Sequence, residues 1–462
     1  MTTSYDAIVI GSGQSGPFLA VRLAQAGMKT ALIEREHLGG TCVNDGCTPT
    51  KTLVASARTA HVARRAADYG VNIGGPVSVD MKAVKARKDR VVGQSIEGLT
   101  QWIAGTANLT LIWGHARFSG PTTVEVKGET LEASKIFLNV GGRAVLPTWH
   151  GIADVPVLTN TSMMAVDALP EHLIVAGGSY IGLEFAQMYR RFGARVTVVE
   201  YGDRLIARED PEVSREVQAI LEREGVNFHF SVQSAKVTPG DGGQGVRIAL
   251  NADGPAHELV GSHLLAAVGR RPNTDDLGLD KAGIATDSRG FITVDDELRT
   301  SVPGVWAMGD ANGHGAFTHT SYNDFQIVAS NLLDGGKRRV SDRITAYALF
   351  TDPPLGRVGM TEAEVRARGK PALVGVMPMT RVSRAKERGE TQGFMKVLVD
   401  AESERILGAA LLCIEGDEIV HSILDVMAAN ASYKVIERAV HIHPTVSELI
   451  PTLLGNLTLG AT

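Results

Sequence analysis

The sequence predicts an α/β protein, with two Rossmann-like dinucleotide-binding units followed by a C-terminal α+β segment. Three observations carry this prediction. An apolar strand, a glycine-rich turn and a helix begin at Ala7 and recur at Leu173. Each unit continues into a second apolar strand that ends in an acid, Glu34 in one and Glu200 in the other. From about Thr345 the pattern changes to apolar strands and short helices. A chain of 462 residues is too long for one core and suggests about three domains.

In the first unit Gly11, Gly13 and Gly16 make G-x-G-x-x-G after the strand Ala7–Ile10. The first two glycines let backbone approach a pyrophosphate, and the third lets the helix pack on the strand. The helix N-terminus then faces the phosphates. The next strand, Lys29 to Glu34, places its acid at the spacing that binds a ribose 2′-hydroxyl.

In the second unit Gly177 and Gly182 hold the outer glycine positions, and Ser179 takes the middle one. Serine narrows the room for a pyrophosphate, but it is small and can donate to phosphate. The strand Ala194 to Glu200 again ends in an acid. Glu200 would accept from a free ribose diol and repel a 2′-phosphate, which favours NADH over NADPH. Arg204, four residues on, would soften that preference. A purely structural Rossmann repeat is the plain alternative.

Two of the chain's three cysteines, Cys42 and Cys47, have four residues between them. This is not the C-x2-C of a zinc half-site, and no second pair matches it. In a regular helix their Cα atoms would lie roughly 8 Å apart, beyond disulfide reach of about 7 Å. A bridge needs a distorted turn, which Gly46 permits. Pro49 suits the first turn of a following helix, which puts Cys47 near a helix N-terminus with Lys51 close by. Both features lower a thiol pKa. The alternative is a pair of free thiols in a core. Cys413, in an apolar strand from Ile406, reads as a buried core cysteine.

In the C-terminal third, Met360 to Arg368 reads as a helix and Phe394 to Asp400 as a strand, with a further helix from Glu418 to Ala429. Hydrophobic residues make up 44% and charged residues 21%, as in ordinary globular proteins. A net charge of −5 and 5% aromatics argue against nucleic-acid or membrane binding. No leader-like apolar segment precedes the strand at Ala7, and no apolar run reaches membrane-spanning length. Few cysteines with one redox-spaced pair suggest a cytoplasmic protein. No metal-ligand cluster stands out.

The stretch Gly39–Lys51 resembles the active-site signature of the flavoprotein disulfide reductases, the class I pyridine nucleotide-disulfide oxidoreductases. That family holds dihydrolipoamide dehydrogenase, glutathione reductase and mercuric reductase. The likeness extends over the chain. Thr300–Asp310 resembles the family's second FAD motif, Ala267–Asn273 its crossover between units, and Ile136–Arg143 the opposite crossover. His441–Glu448 is similar to its H-P-T-x-S-E signature. Further stretches, Thr351–Glu362 and Leu411–Cys413 among them, resemble a mercuric-reductase-like branch associated with reactive-chlorine resistance and copper(II) reduction.

The resemblance implies FAD in the N-terminal unit and NADH, with NADPH second, in the inserted one. It implies an FAD-binding domain over 1–148 and 272–343, an NAD(P)-binding domain over 149–271, and a homodimer-forming domain over 344–462. FAD and nucleotide contacts fall to Gly11, Gly13, Gly16, Glu34, Gly40, Thr41, Lys51, Ala116, Gly141 and Asp310, and to Gly177, Gly178, Ile181, Gly182, Glu200, Gly269 and Arg271. Cys42 would be the outer thiol and Cys47 the flavin-side sulfur. Lys51 would pair with Glu184, and His443, oriented by Glu448, would act from the partner subunit. His441 reads as structural.

Electrons would pass from NADH through FAD and the cysteine pair to a disulfide, a Cu(II)-type ion or a quinone. Dihydrolipoamide dehydrogenase is the alternative enzyme. A redox sensor, or a flavin-bearing subunit of a complex, is the alternative of another class. Leu457–Thr462 lacks the cysteine pair a mercuric reductase would need. Asp45, between the cysteines, reads either as a turn residue bonding its own backbone or as a hard oxygen ligand beside two sulfurs.

Overall fold

The computed structural model describes residues 2–251 and 257–460. Its first sheet is parallel and five-stranded, in the order Val305–Ala307, Ile136–Leu138, Ala7–Ile10, Thr30–Glu34, Leu109–Trp113. The central strand Ala7–Ile10 is buried throughout, as a strand covered on both faces must be. The outer strand Val305–Ala307 comes from far along the chain, so the N-terminal unit is completed only after the second unit has been made.

The second unit is a four-stranded parallel sheet in the order Val226–His229, Arg195–Val199, His172–Ala176, His263–Ala266. The two units repeat the same close approaches. Gly11 has φ +95° and Gly177 φ +109°, and a Cβ on either would strike a carbonyl, that of Asn139 or of Ala267. A Cβ on Gly16 would strike the Gly11 carbonyl, and one on Gly182 the Gly177 carbonyl. The helices Gly16–Gln25 and Tyr180–Phe192 follow these turns. Between the units, Gly142–Ala144 pairs antiparallel with Arg270–Pro272. The Ile136–Arg143 stretch is thus two short strands, broken by Gly141 at φ +66°.

The C-terminal part is a six-stranded sheet beginning at Ala346–Leu349, with antiparallel pairing throughout. Phe394–Asp400 is a strand as expected, and Ile406–Leu412 stops one residue before Cys413. The helix expected from Met360 begins at Glu362, because Thr361 and Glu364 form a capping box there. The helix expected from Glu418 runs Gly416–Ala428. Cys413 is fully buried, and burial pushes its thiol up, so it is a core cysteine. Among the described residues no helix is long and apolar enough to cross a membrane.

Strand alternation explains how this sheet faces two ways. Met395, Val397 and Val399 join the sheet's own core. Leu355, Ala410 and Leu412 instead pack in one cluster with Leu183 and Phe185 of the second unit and with Leu53 and Ala57 of the cysteine-bearing helix. Lys396, between two core residues, points to the second unit. Its side chain is 3% exposed and meets Asp210 at 3.4 Å together with Glu212 and Glu362. Lys396→Met would remove the cation that meets all three carboxylates, leaving, among the described residues, only Arg357 at 3.7 Å as a cation for Asp210 and only Arg366 for Glu362. It is expected to lower unfolding stability by about 3–5 kcal/mol, read from urea denaturation. An unchanged midpoint would contradict a bridging role for this lysine.

Candidate active site

The cysteines sit at a break between two helices, Gly40–Asn44 and Cys47–Arg64. Asp45 and Gly46 leave helical geometry, and Gly46 has φ −127° and ψ −115°. This break supplies the distortion that C-x4-C spacing needs. A Cβ on Gly46 would lie 2.8 Å from the Thr41 carbonyl oxygen, so the turn favours glycine for space. Both cysteines are free thiols in this structure.

The two sulfurs are electrostatically unequal. A hydrogen bond from Cys42 lowers the Cys47 thiol to about 6 against the opposing effect of burial. The Thr318 hydroxyl, 2.9 Å from Sγ, and the Lys51 charge add to the lowering. Cys42 moves the other way, pushed up by its bond to Cys47, by burial and by the Cys47 charge. The pair therefore holds its first negative charge on Cys47 and keeps a proton on Cys42.

One turn along the same helix, Lys51 Nζ lies 2.7 Å from Glu184 Oε2 and 4.5 Å from the centroid of the Phe350 ring. The other Glu184 oxygen accepts from the Phe350 N–H at 3.0 Å. Glu184 belongs to the helix after the second glycine turn, and Phe350 follows the first strand of the C-terminal sheet. Lys51 and Glu184 thus meet, as the resemblance implied.

Both cysteines, Lys51 and Glu184 line one cavity of about 770 Å³. Gly11, Gly13, Glu34, Gly40, Thr41, Ala116, Gly141, Ile181 and Asp310 line it too. Its walls fit a flavin dinucleotide. A Cβ on Gly40 would lie 2.9 Å from the Gly13 Cα, so side chains there would fill the floor. Glu34 is buried and accepts from the Ser12 N–H at 2.9 Å and the Ser12 hydroxyl at 2.7 Å, which fixes its carboxylate at the strand end. Burial pushes the Asp310 carboxyl up, with Arg270 Nε 3.8 Å away.

Gly177, Gly178, Gly182 and Glu200 form the second turn, beside this cavity rather than in it. Glu200 accepts from the N–H of Gly178 at 2.5 Å and of Gly202 at 2.7 Å, the counterpart of Glu34 in the first unit. Gly16 lies behind the first turn, and Gly269, at φ +139°, leads into the crossover. Arg271 is exposed and faces Asp275 at 3.8 Å. Its neighbour Arg270 lines the cavity and bonds the Thr41 hydroxyl at 3.3 Å and the Gly142 carbonyl. Adjacent residues on a strand point to opposite faces, so Arg270 faces the cavity and Arg271 faces away from it.

His443 Nδ1 lies 2.6 Å from Glu448, whose side chain is 8% exposed, whereas the imidazole is 73% exposed. The pair does not line the cavity of its own chain. Val440 and Ile442 beside it are 98% and 77% exposed, an apolar flank that a partner surface would cover. His441 bonds the Ser447 carbonyl at 2.9 Å and so holds the turn. Asp45 does not bond its own backbone. Its carboxylate accepts from the Thr161 hydroxyl, and its carbonyl accepts from Asn160 Nδ2 at 3.0 Å. The redox loop is thereby tied to the helix Asn160–Met163, and the other Asp45 oxygen is buried without a partner. Among the described residues no group of three or more His, Cys, Asp or Glu side chains could hold a metal.

The family model described as pyridine nucleotide-disulphide oxidoreductase matches residues 5–324, and the dimerisation-domain model of that family matches residues 345–454. The chain belongs to this family. It is therefore an oxidoreductase that uses FAD and a pyridine nucleotide, and its C-terminal part is a dimerisation domain. This oxidoreductase is 35% identical to the probable pyridine nucleotide-disulfide oxidoreductase RclA of Escherichia coli, over 98% of this chain and 99% of that one. It is 33% identical to a dihydrolipoyl dehydrogenase of Cupriavidus necator, over 97% of each chain. A solved Cu(II) complex of the HOCl-induced flavoprotein disulfide reductase RclA from Escherichia coli matches with TM-score 0.89 and 34% identity, over 98% of this chain and 99% of that one.

Two residues of the site are not singled out by the sequence. Thr318 reaches Cys47 from a helix far along the chain. Asn139 is buried and accepts from the Gly16 N–H at 3.0 Å, which holds the first helix N-terminus. Its one cue is a polar residue directly after an apolar strand and before two glycines. For the reduced oxidoreductase, thiolate absorbance should appear with a midpoint near pH 6, the value for Cys47. Thr318→Val and Lys51→Met should each move that midpoint upward, because each removes a group that favours the anion. A midpoint that neither change moves would contradict this origin of the acidity.

Proposed function

We propose that this chain is an NADH-dependent flavoprotein reductase whose Cys42–Cys47 pair delivers electrons to a Cu(II)-type metal ion, with small disulfides and quinones as further acceptors. The observation that carries it is the acidic Cys47 thiol, held in the cavity beside Thr318 and Lys51, next to a protonated Cys42. The Cu(II) complex of the related reductase supports the choice of acceptor. The antiparallel pair of crossover strands supports an FAD-binding part over 1–148 and 272–343, a nucleotide-binding part over 149–271 and an interface part over 344–462.

Bound FAD would supply the two-electron redox chemistry that links the pyridine nucleotide to the cysteine disulfide. Gly11, Gly13, Gly40 and Glu34 would hold its adenosine diphosphate half, and Asp310 its ribityl chain. Gly177, Gly182 and Glu200 would hold NADH. Lys51 stabilises the Cys47 thiolate, and Glu184 holds Lys51 in place. With a disulfide acceptor, Cys42 loses its proton to the partner subunit's His443 and attacks one acceptor sulfur. The leaving thiolate takes that proton back. Cys47 then attacks Cys42, re-forming the intramolecular disulfide, and the second acceptor thiolate leaves. With Cu(II), two ions each take one electron as the dithiol becomes the disulfide. Glu448 fixes the tautomer of the histidine throughout.

The test is steady-state oxidation of NADH and NADPH with Cu(II), Hg(II), lipoamide, glutathione disulfide and a quinone side by side. Cu(II) should be the fastest acceptor. NADH should exceed NADPH in kcat/KM by roughly 5- to 150-fold, since Glu200 opposing a 2′-phosphate is worth about 1–3 kcal/mol. Cys42→Ser should abolish turnover with disulfides. Lipoamide turning over faster than Cu(II) would replace this reading with a dihydrolipoamide dehydrogenase.

A further inference from the structure

Behind the cavity wall lies a buried carboxylate that the reaction above does not use. Glu209 closes the loop that begins at Glu200, and its side chain is fully buried. A single oxygen, Oε1, accepts from two phenols, Tyr180 at 3.1 Å and Tyr347 at 2.7 Å. The other oxygen faces the buried Arg357 guanidinium at 3.7 Å without a hydrogen bond. Both tyrosines line the cavity, and Glu209 does not.

The rings so anchored form an ordered wall. Tyr347 stacks on Phe317 with centroids 5.3 Å apart and planes 9° apart. Tyr180 stands edge-on to Tyr347 at 5.5 Å and 89°. Tyr180 is also the first residue of the helix after the second glycine turn. A dinucleotide with its pyrophosphate at that turn and its adenosine ribose at Glu200 must send its other half past Tyr180. The same loop is stapled to the turn, because the Ile206 N–H donates to the Gly178 carbonyl at 2.9 Å and the Glu209 N–H donates to Ile206 at 2.8 Å.

Resting on the functional reading above, we propose that Glu209 is a positioning residue for the nicotinamide. It holds the Tyr180 and Tyr347 rings as a preformed wall and ties that wall to the loop that recognises the adenosine ribose. A carboxylate suits this role because it is an acceptor only, so one oxygen can take two donors while the other faces a guanidinium. Burial and the neighbouring carboxylate push both phenols up, so both remain donors. Preformed rings spare the ligand the cost of ordering them on binding.

The experiment compares NAD+ with ADP-ribose, which has the same adenosine, ribose and pyrophosphate but lacks the nicotinamide. Dissociation constants are measured on the FAD-loaded dimer, and NADH reduction is followed by stopped flow. Glu209→Ala should weaken NAD+ roughly tenfold and leave ADP-ribose within about twofold. NADH-driven reduction should slow by roughly ten- to a hundredfold. The double variant Tyr180→Phe/Tyr347→Phe keeps the rings, the buried charge pair and the fold, and loses only the anchoring hydroxyls. It should reproduce the selective loss, and Glu209→Ala should add nothing in that background. If Glu209→Ala does not fold, the double variant alone carries the test. Equal weakening of both ligands, or of neither, would overturn the proposal. A parent protein that NADH does not reduce would overturn the functional reading and this inference with it. A reducible parent with unchanged variants would overturn only the role of Glu209.

Discussion

The contact between Lys51, Glu184 and Phe350 is the constraint on which the site depends. Lys51 comes from the cysteine-bearing helix, Glu184 from the helix after the second glycine turn, and Phe350 from the C-terminal part. One carboxylate therefore joins all three parts of the chain at the place where charge must move. Its burial makes the constraint strong. A carboxylate 6% exposed must keep its partners, so the helices cannot slide without exposing it or leaving it unpaired. The apolar cluster shared by Leu53, Leu183 and Leu412 holds the same junction from behind.

The duplicated units show one backbone solution put to two uses. Each places a glycine at positive φ against a carbonyl and a second glycine beneath the helix. Each ends its second strand in a carboxylate that accepts backbone N–H groups. They differ in what lies ahead of the turn. The first opens onto the cavity floor with the cysteines. The second opens past Tyr180 toward the aromatic wall, and its middle glycine is Ser179, an extended N-cap residue. Strand order sets this difference, since the first sheet takes its last strand from beyond the second unit.

Much of this was legible because the signals are local. Both glycine turns, both strand-end acids and the cysteine pair lie within short windows whose physics is that of a strand, a turn and a helix. The same holds for His443 and Glu448, which meet inside one turn. What could not be read depends on contacts between distant segments. Thr318 reaches Cys47 and Glu209 reaches Tyr347 only because the sheets bring them together. Arg270 shows the other limit, since a short strand gives no pattern long enough to fix which side chain faces the cavity. The sequence around Asp45 suggests a local turn residue or a ligand, whereas its carboxylate ties the loop to Thr161 in the second unit.

The central claim is that the two sulfurs have different jobs, with Cys47 the thiolate beside the flavin and Cys42 the outer thiol. The absorption spectrum of purified FAD-loaded Cys42→Ser tests it most directly. The account predicts a long-wavelength charge-transfer band without any reductant, because Cys47 is left unbridged and acidic, and no band in Cys47→Ser. A band in Cys47→Ser and none in Cys42→Ser would contradict it.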